Sequence, residues 1–241
     1  MVENEIRFLC TLAACAPAQG SIVEIGSFKG KSTVALATIS ERYNLGPIVA
    51  IDPHTGDLGA EATKHSPTFN EFRSSLQKAG VEKNVEWHRD YSSNVAKTWH
   101  RPIRLLWIDG DHSYQGCKTD FDLFSPCLAD GGIVAFHDTL NTFEGPIRVF
   151  VENVLCSDRF GPCGFVHSIA WAQHRPTDGS GFRAPRAQLA SRAAKLIPFL
   201  KDGAIPEGLR KIRYKFQRSR VPRQLISPAK FLQLLSSPTP T

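Results

Sequence analysis

Five short apolar runs, each with an acidic residue at or near its end, alternate along the chain with stretches of helical periodicity. They are Ser21-Ile-Val-Glu-Ile-Gly26, Ile48-Val-Ala-Ile-Asp52, Val85-Glu-Trp-His-Arg-Asp90, Ile103-Arg-Leu-Leu-Trp-Ile-Asp109 and Gly132-Ile-Val-Ala-Phe-His-Asp138. Between them, Phe69, Phe72 and Leu76 recur at three and four residues, as do Tyr114, Cys117, Phe121, Phe124 and Leu128. Ile147, Phe150, Val151, Val154 and Leu155 form a further apolar stripe. Short runs read as strands and the striped segments as helices. Their alternation implies βαβ units: an α/β chain with a Rossmann-like, doubly wound, mostly parallel sheet covered on both faces. In such sheets ligands bind beyond the carboxyl ends of the strands, so acidic residues at five successive strand ends point to one crevice.

The chain divides into three segments. Residues 1–20 form a helical stretch (Ile6, Leu9, Cys10, Ala13) expected to pack on the sheet or cover the site. Residues 21–174 form the α/β body, which closes on Phe165-Val-His-Ser-Ile-Ala-Trp-Ala172, read as one strand. Residues 175–241 form a helical, basic extension ending in a frayed Ser236-Ser-Pro-Thr-Pro-Thr241 tail. Charge follows the same division. Residues 1–182 carry a net charge of −5, while 183–241 carry +11, with only Asp202 and Glu207 against 13 Lys and Arg. Residues 53–67 follow a strand end, lack apolar periodicity and are long for a connection, which predicts a lid.

At 241 residues, 41% apolar and 22% charged, the chain suits one globular domain and excludes a disordered or collagen-like one. It holds no apolar run of bilayer-spanning length, and its acidic start lacks the basic residues of a secretory signal. A cytoplasmic protein is expected. Cys10, Cys15, Cys117, Cys127, Cys156 and Cys163 form no CxxC pair, which predicts reduced, buried thiols.

The first strand runs into Gly26-Ser-Phe-Lys-Gly-Lys-Ser-Thr33. Only three residues separate the glycines, one fewer than a phosphate-binding GxxxxGK[ST] loop requires. Phe28 stands where a dinucleotide fingerprint needs its second glycine. A third reading fits better. Gly26 and Gly30 let backbone approach a compact ligand, and Ser32 with the helix amides can receive a carboxylate. Asp52 can accept both ribose hydroxyls, and Asp90-Tyr-Ser92 can meet an adenine edge. An adenosyl amino acid with a sulfonium satisfies all three sites.

Four segments together resemble class I S-adenosylmethionine-dependent methyltransferases. They are Glu24-Ile-Gly-Ser-Phe-Lys-Gly-Lys-Ser32, Ile51-Asp-Pro-His-Thr-Gly-Asp57, Ile108-Asp-Gly-Asp-His-Ser-Tyr114 and Gly131-Gly-Ile-Val-Ala-Phe-His-Asp-Thr139. The nearest resemblance is to the macrocin O-methyltransferase group, with a distant one to catechol O-methyltransferases. It covers residues 20–140, and nothing in 175–241 carries it. It implies that Glu24, Gly26, Phe28, Gly30 and Ser32 shape the methionine end of the pocket, that Asp52 binds ribose, and that Asp90, Tyr91 and Ser92 border adenine. It further implies Asp109, His137 and Asp138 as ligands of a divalent cation, and His112 as general base. His137 departs from the family, whose metal-dependent members carry an acid there. Two carboxylates and one imidazole are compatible with magnesium, manganese or a softer ion.

Each residue also has a structural reading. His112 or Asp111 can cap the helix that begins near Ser113, Asp111 can equally serve as a catalytic or supporting carboxylate, and His137 can be a satisfied core histidine. The expected reaction is methyl transfer to a hydroxyl, with sugar or glycoconjugate acceptors implied by the resemblance. The alternatives are an ATP- or NAD-binding module and a non-catalytic scaffold with a basic interaction tail. In the extension, Leu189, Leu196, Ile197 and Leu200 form one stripe, and Leu209, Ile212, Tyr214 and Phe216 are interleaved with Arg210, Lys211, Arg213 and Lys215. This pattern predicts either helices packed on the body or on a second copy in a homo-oligomer, or contact of residues 183–230 with an anionic membrane at its inner face. Nucleic acid is not expected, because the acidic body repels phosphates and no binding motif is present.

Overall fold

A computed structural model describes residues 1–55, 68–200 and 205–237. The strands β1 (Ser21–Ile25), β2 (Ile48–Ile51), β3 (Val85–His88), β4 (Ile103–Ile108), β5 (Leu128–Phe136), β6 (Phe160–Val166) and β7 (Ile169–His174) form one sheet. Its order is β3-β2-β1-β4-β5-β7-β6. β1 to β5 are mutually parallel, and β7 runs antiparallel to both β5 and β6. Strand order therefore reverses between β1 and β4, and the crevice of an open α/β sheet opens there.

Alternate residues of the central strands serve opposite faces, and both faces are buried. Ile22, Ile48, Leu105, Trp107 and Ile133 pack under α1 (Glu3–Cys15), α2 (Lys31–Tyr43) and α3 (Phe69–Lys78). Val23, Val49, Leu106 and Val134 pack under α5 (Tyr114–Phe124) and α6 (Glu144–Val149). The short α4 (Ser92–Val95) precedes β4, and α6 continues as a π-helical segment over Phe150–Leu155. The buried face of α1 is Glu5, Phe8, Leu9, Leu12 and Ala13.

Three expectations need correction. Phe165–Ala172 is not one strand: Val166 and Ile169 pair across a turn in which His167 takes φ 52°. The run is apolar on both sides and lacks glycine, proline or asparagine, so only the polar His167-Ser168 pair marks the turn. Leu128, in step with the helical stripe before it, instead opens β5. The thiols are all free, but of the six only Cys117 is buried: Cys10, Cys15, Cys127 and Cys163 are partly exposed and Cys156 is exposed.

In the extension, α7 (Arg183–Ala193) and the 3₁₀ segment Ala194–Phe199 pack on the body, burying Leu196 and Leu200. α8 (Gly208–Ser219) follows. α9 (Pro228–Leu235) returns to the N-terminal helix, where Phe231 meets Phe8 at 5.7 Å and Trp171 at 4.7 Å between ring centroids. The expected lid lies, over residues 56–67, outside the described residues, as does the tail from 238. Among the described residues no helix is long and apolar enough to cross a membrane.

Candidate active site

A cleft of about 460 Å³ opens at the carboxyl ends of β1, β2 and β4. Its floor depends on a close backbone approach. Gly26 has φ +88°, and a Cβ there would lie 2.3 Å from the Asp109 carbonyl oxygen, so only glycine lets the β1 turn meet the β4 end. Phe28, His54 and Asp138, three non-glycine residues at strand ends, also hold positive φ, a strain that clusters at functional sites. Asp52 is fixed on the cleft wall. Its Oδ2 accepts the Phe28 amide and its Oδ1 the His54 amide, each at 2.7 Å. A carboxylate has about four acceptor positions, so both oxygens keep capacity for a diol. That arrangement, with apolar Ile25, Ile51 and Tyr91 nearby, fits an adenosine moiety.

Beneath the glycine loop, Glu24 is fully buried and accepts the Thr33 hydroxyl on Oε2, while Oε1 has no partner. Burial pushes its carboxyl up to about 8, and the nearby Asp109 and Asp52 charges add to the rise.

A second cluster adjoins the cleft. Asp109, His137 and Asp138 offer ligand atoms within 4.8 Å of one another. His137 Nδ1 lies 3.0 Å from Asp109 Oδ1 and 3.3 Å from Asp138 Oδ1, and its Nε2 lies 3.5 Å from Glu5 Oε2. Burial opposes the charged form of His137, but hydrogen bonds with Asp109, Asp138 and Glu5 outweigh it and push the imidazole up to about 11. Burial likewise raises the Asp109 carboxyl, yet the two neighbouring histidines hold it below the usual range. His112 Nε2 is buried without a hydrogen bond, 3.5 Å from Asp138 Oδ2 and 3.7 Å from Asp109 Oδ1. Asp109, His137 and Asp138 offer two carboxylates and one imidazole, a donor set that fits manganese or magnesium once the His137 proton is displaced.

Residues 23–139 match the family model of a methyltransferase domain. This segment is similar to class I, S-adenosylmethionine-dependent methyltransferase domains. An uncharacterized protein of Acanthamoeba polyphaga mimivirus is 27% identical over 117 residues, 48% of this chain, and the chain spans about half the length of that relative. Among solved structures, the methyltransferase fold is shared with the O-methyltransferase NovP (TM-score 0.59, 13% identity, 71% of this chain and 80% of that one). It is shared with the O-methyltransferase TomG from Streptomyces achromogenes in complex with S-adenosylmethionine (TM-score 0.54, 19% identity, 73% and 81%). It is also shared with CalS11, a TDP-rhamnose 3'-O-methyltransferase of calicheamicin biosynthesis (TM-score 0.50, 20% identity, 70% and 77%).

Within the methyltransferase-like segment, the cleft brings together seven of the residues singled out in the sequence: Gly26, Phe28, Asp52, Tyr91, Ser92, Asp109 and Asp111. Glu24, Gly30 and Ser32 do not line it. Ser32 is buried in α2, and Gly30 is the helix N-cap at φ +84°. Asp90 faces solvent, where its Oδ1 accepts Tyr91 N and Asn94 Nδ2 and so shapes the turn into α4. The two oxygens of Asp111 accept Ser113 N and Oγ, the cap of α5. Gly116 leaves room for that carboxylate, since a Cβ there would stand 2.3 Å from Asp111 Oδ2.

Two participants escaped the sequence reading. Asp120 lines the cleft, accepts Ser92 Oγ at 2.5 Å and is pushed by burial up to about 6. Its helical position, three residues after Cys117, signalled only a place near the buried face of α5. Glu5 reaches the cluster from α1, accepting Val2 N and the Ser168 hydroxyl as well as facing His137. Burial opposes its charge, but those bonds hold its carboxyl well below the usual range.

Proposed function

We propose that the protein is an O-methyltransferase that moves the methyl of S-adenosylmethionine to a hydroxyl of a small-molecule acceptor, a sugar or glycoconjugate. The observation that carries this reading is His112 Nε2, held 3.5 Å from Asp138 Oδ2 and 3.7 Å from Asp109 Oδ1 beside the cleft that Asp52 walls. Bound adenosylmethionine supplies an electrophilic methyl on a sulfonium, open to in-line attack by oxygen. Asp52 receives the ribose hydroxyls. Tyr91 and Ser92 border adenine, with Asp90 organising their turn. Gly26 and Phe28 shape the methionine end, while Gly30, Ser32 and the buried Glu24 support the loop from behind. Such alignment lowers the barrier by fixing the reacting groups in register.

A hydroxyl is a poor nucleophile until it loses its proton. His112 Nε2 takes that proton, and Asp109 and Asp138 stabilise the imidazolium that forms. Asp111 clamps the Ser113 turn that presents His112. Asp109, His137 and Asp138 would hold a divalent cation, manganese or magnesium, which when bound lowers the pKa of a hydroxyl. The fold shared with a TDP-rhamnose 3'-O-methyltransferase supports a sugar acceptor. Incubation with methyl-labelled adenosylmethionine, manganese and a panel of nucleotide sugars and phenols tests the reading. Label is expected on a sugar oxygen. Label on nitrogen or carbon overturns O-methylation, and label on phenols alone removes the sugar assignment.

A further inference from the structure

The interleaved aromatic, aliphatic and basic residues of α8 separate onto opposite sides of the helix. Tyr214 turns inward and is buried, and its hydroxyl donates to the carbonyls of Leu140 and Asn141 on the loop that follows Asp138. Arg210 donates to the carbonyls of Pro198 and Phe199 at 3.1 and 2.8 Å. The helix is thus pinned to the body by one side. On the other side Leu209, Ile212 and Phe216 follow the spacing of one helical stripe and are 74%, 64% and 53% exposed.

The stripe has charged borders. At 3.6 residues per turn, Arg213 and Arg220 border the stripe on one flank and Lys215 on the other, with Lys211 further round on that second side, all exposed. The Arg220 guanidinium carbon lies 4.2 Å from the Phe216 ring centroid. None of these four cations pairs with a carboxylate among the described residues. A folded helix that keeps its large apolar residues outward, between two rows of unpaired cations, has the pattern of an interfacial helix and not of a core one.

We propose that α8 docks the protein on an anionic membrane, with Leu209, Ile212 and Phe216 seated at the acyl boundary and Lys211, Arg213, Lys215 and Arg220 on the lipid phosphates. This goes beyond the methyl-transfer reading and does not require it. A second copy of the chain is disfavoured as occupant, because a two-fold contact through this stripe would bring the four cations against their own copies. Nucleic acid leaves the central apolar stripe without a partner. The Tyr214 contacts tie the docked helix to the Leu140–Asn141 loop beside the candidate site, which suits an acceptor with a lipid carrier.

Flotation of the intact protein with vesicles of phosphatidylcholine alone, or mixed with phosphatidylglycerol, tests this. Wild type is expected to float with the mixed vesicles at low salt, at least about tenfold better than with neutral ones, and to be released by salt. Leu209→Ser/Ile212→Ser/Phe216→Ser and Lys211→Glu/Arg213→Glu/Lys215→Glu each alter only exposed side chains. Each is expected to lose about tenfold or more. Wild type that does not float with anionic vesicles overturns the proposal, as does equal flotation of all three proteins. A stripe variant that turns a dimer into a monomer without changing flotation assigns the face to a second copy instead. Calorimetry with adenosylmethionine on the same preparations keeps the readings apart: unchanged binding certifies folded variants, and its absence in wild type counts against methyl transfer alone.

Discussion

The His112 ring lies flat against Phe143, with centroids 4.4 Å apart and planes 18° from parallel. Stacking of this kind fixes the imidazole while its Nε2 points toward Asp109 and Asp138 without a hydrogen bond. A nitrogen held between two carboxylates at the edge of a ligand cleft is placed to take a proton from a bound hydroxyl and to keep it as an imidazolium. The arrangement explains how a histidine at a helix start can act as a base: the helix cap is already Ser113, which accepts the Gly116 amide.

His112→Ala is therefore expected to lower turnover by about 10²–10⁴ while leaving adenosylmethionine affinity intact. Phe143→Ala, which removes only the stacking surface, is expected to cost about tenfold. Steady-state rates set beside calorimetric affinities separate the two. Turnover of His112→Ala within threefold of wild type would remove His112 as the base.

Asp52 faces the cleft with both oxygens already oriented by amides, so its loss removes preorganised acceptors. Asp52→Ala is expected to weaken adenosylmethionine binding by roughly 1–3 kcal/mol, the range for charge-assisted hydrogen bonds. A folded variant of unchanged affinity excludes ribose from this position.

Glu24 makes a prediction about stability. Its ordinary value is 4.5, and burial holds it near 8 in the folded protein. Below 4.5 both folded and unfolded chains carry the proton. Between 4.5 and about 8 the unfolded chain releases it and the folded one keeps it, so this group's contribution becomes less favourable as pH rises, then levels off above 8. Glu24→Gln keeps a neutral amide there and is expected to gain on wild type progressively across that window. Urea denaturation at several pH values reads this directly. A difference between the two proteins that does not change with pH contradicts a protonated Glu24.

Much of the site was legible because the β4, β5 and β2 ends carry Asp109, Asp138 and Asp52 one or two residues past a buried strand, a position the sheet aims at its crevice. Glu5 was not legible. In the first turn of an amphipathic helix a glutamate reads as a partner of the helix dipole, and only the distant Ser168 and His137 bury it. The β6–β7 hairpin hid because its turn, built from His167 and Ser168, holds no glycine, proline, asparagine or aspartate, and a single serine inside an apolar run is a weak turn signal. For α8, the alternation of apolar and basic residues showed an amphipathic helix, but which side faces the body depends on the Leu140 and Asn141 carbonyls that receive Tyr214. Long-range partners, not local propensity, decided all three.

The cation makes a separable prediction. Asp109→Asn and Asp138→Asn are each expected to lower methyl transfer, with added manganese restoring it only in part. Exhaustive chelation is expected to slow the wild type. An unchanged rate after chelation would remove the cation and leave His112 to work with the two carboxylates alone.

The central claim is that the cleft walled by Asp52 receives an adenosyl amino acid and not a nucleotide phosphate. Calorimetric titration of the intact protein with S-adenosylmethionine, S-adenosylhomocysteine, ATP and NAD tests it most directly. Saturable binding of the two adenosyl amino acids, weakened in Asp52→Ala, with no heat from ATP or NAD, is the result this account predicts. Tight binding of ATP or NAD with none of adenosylmethionine contradicts it.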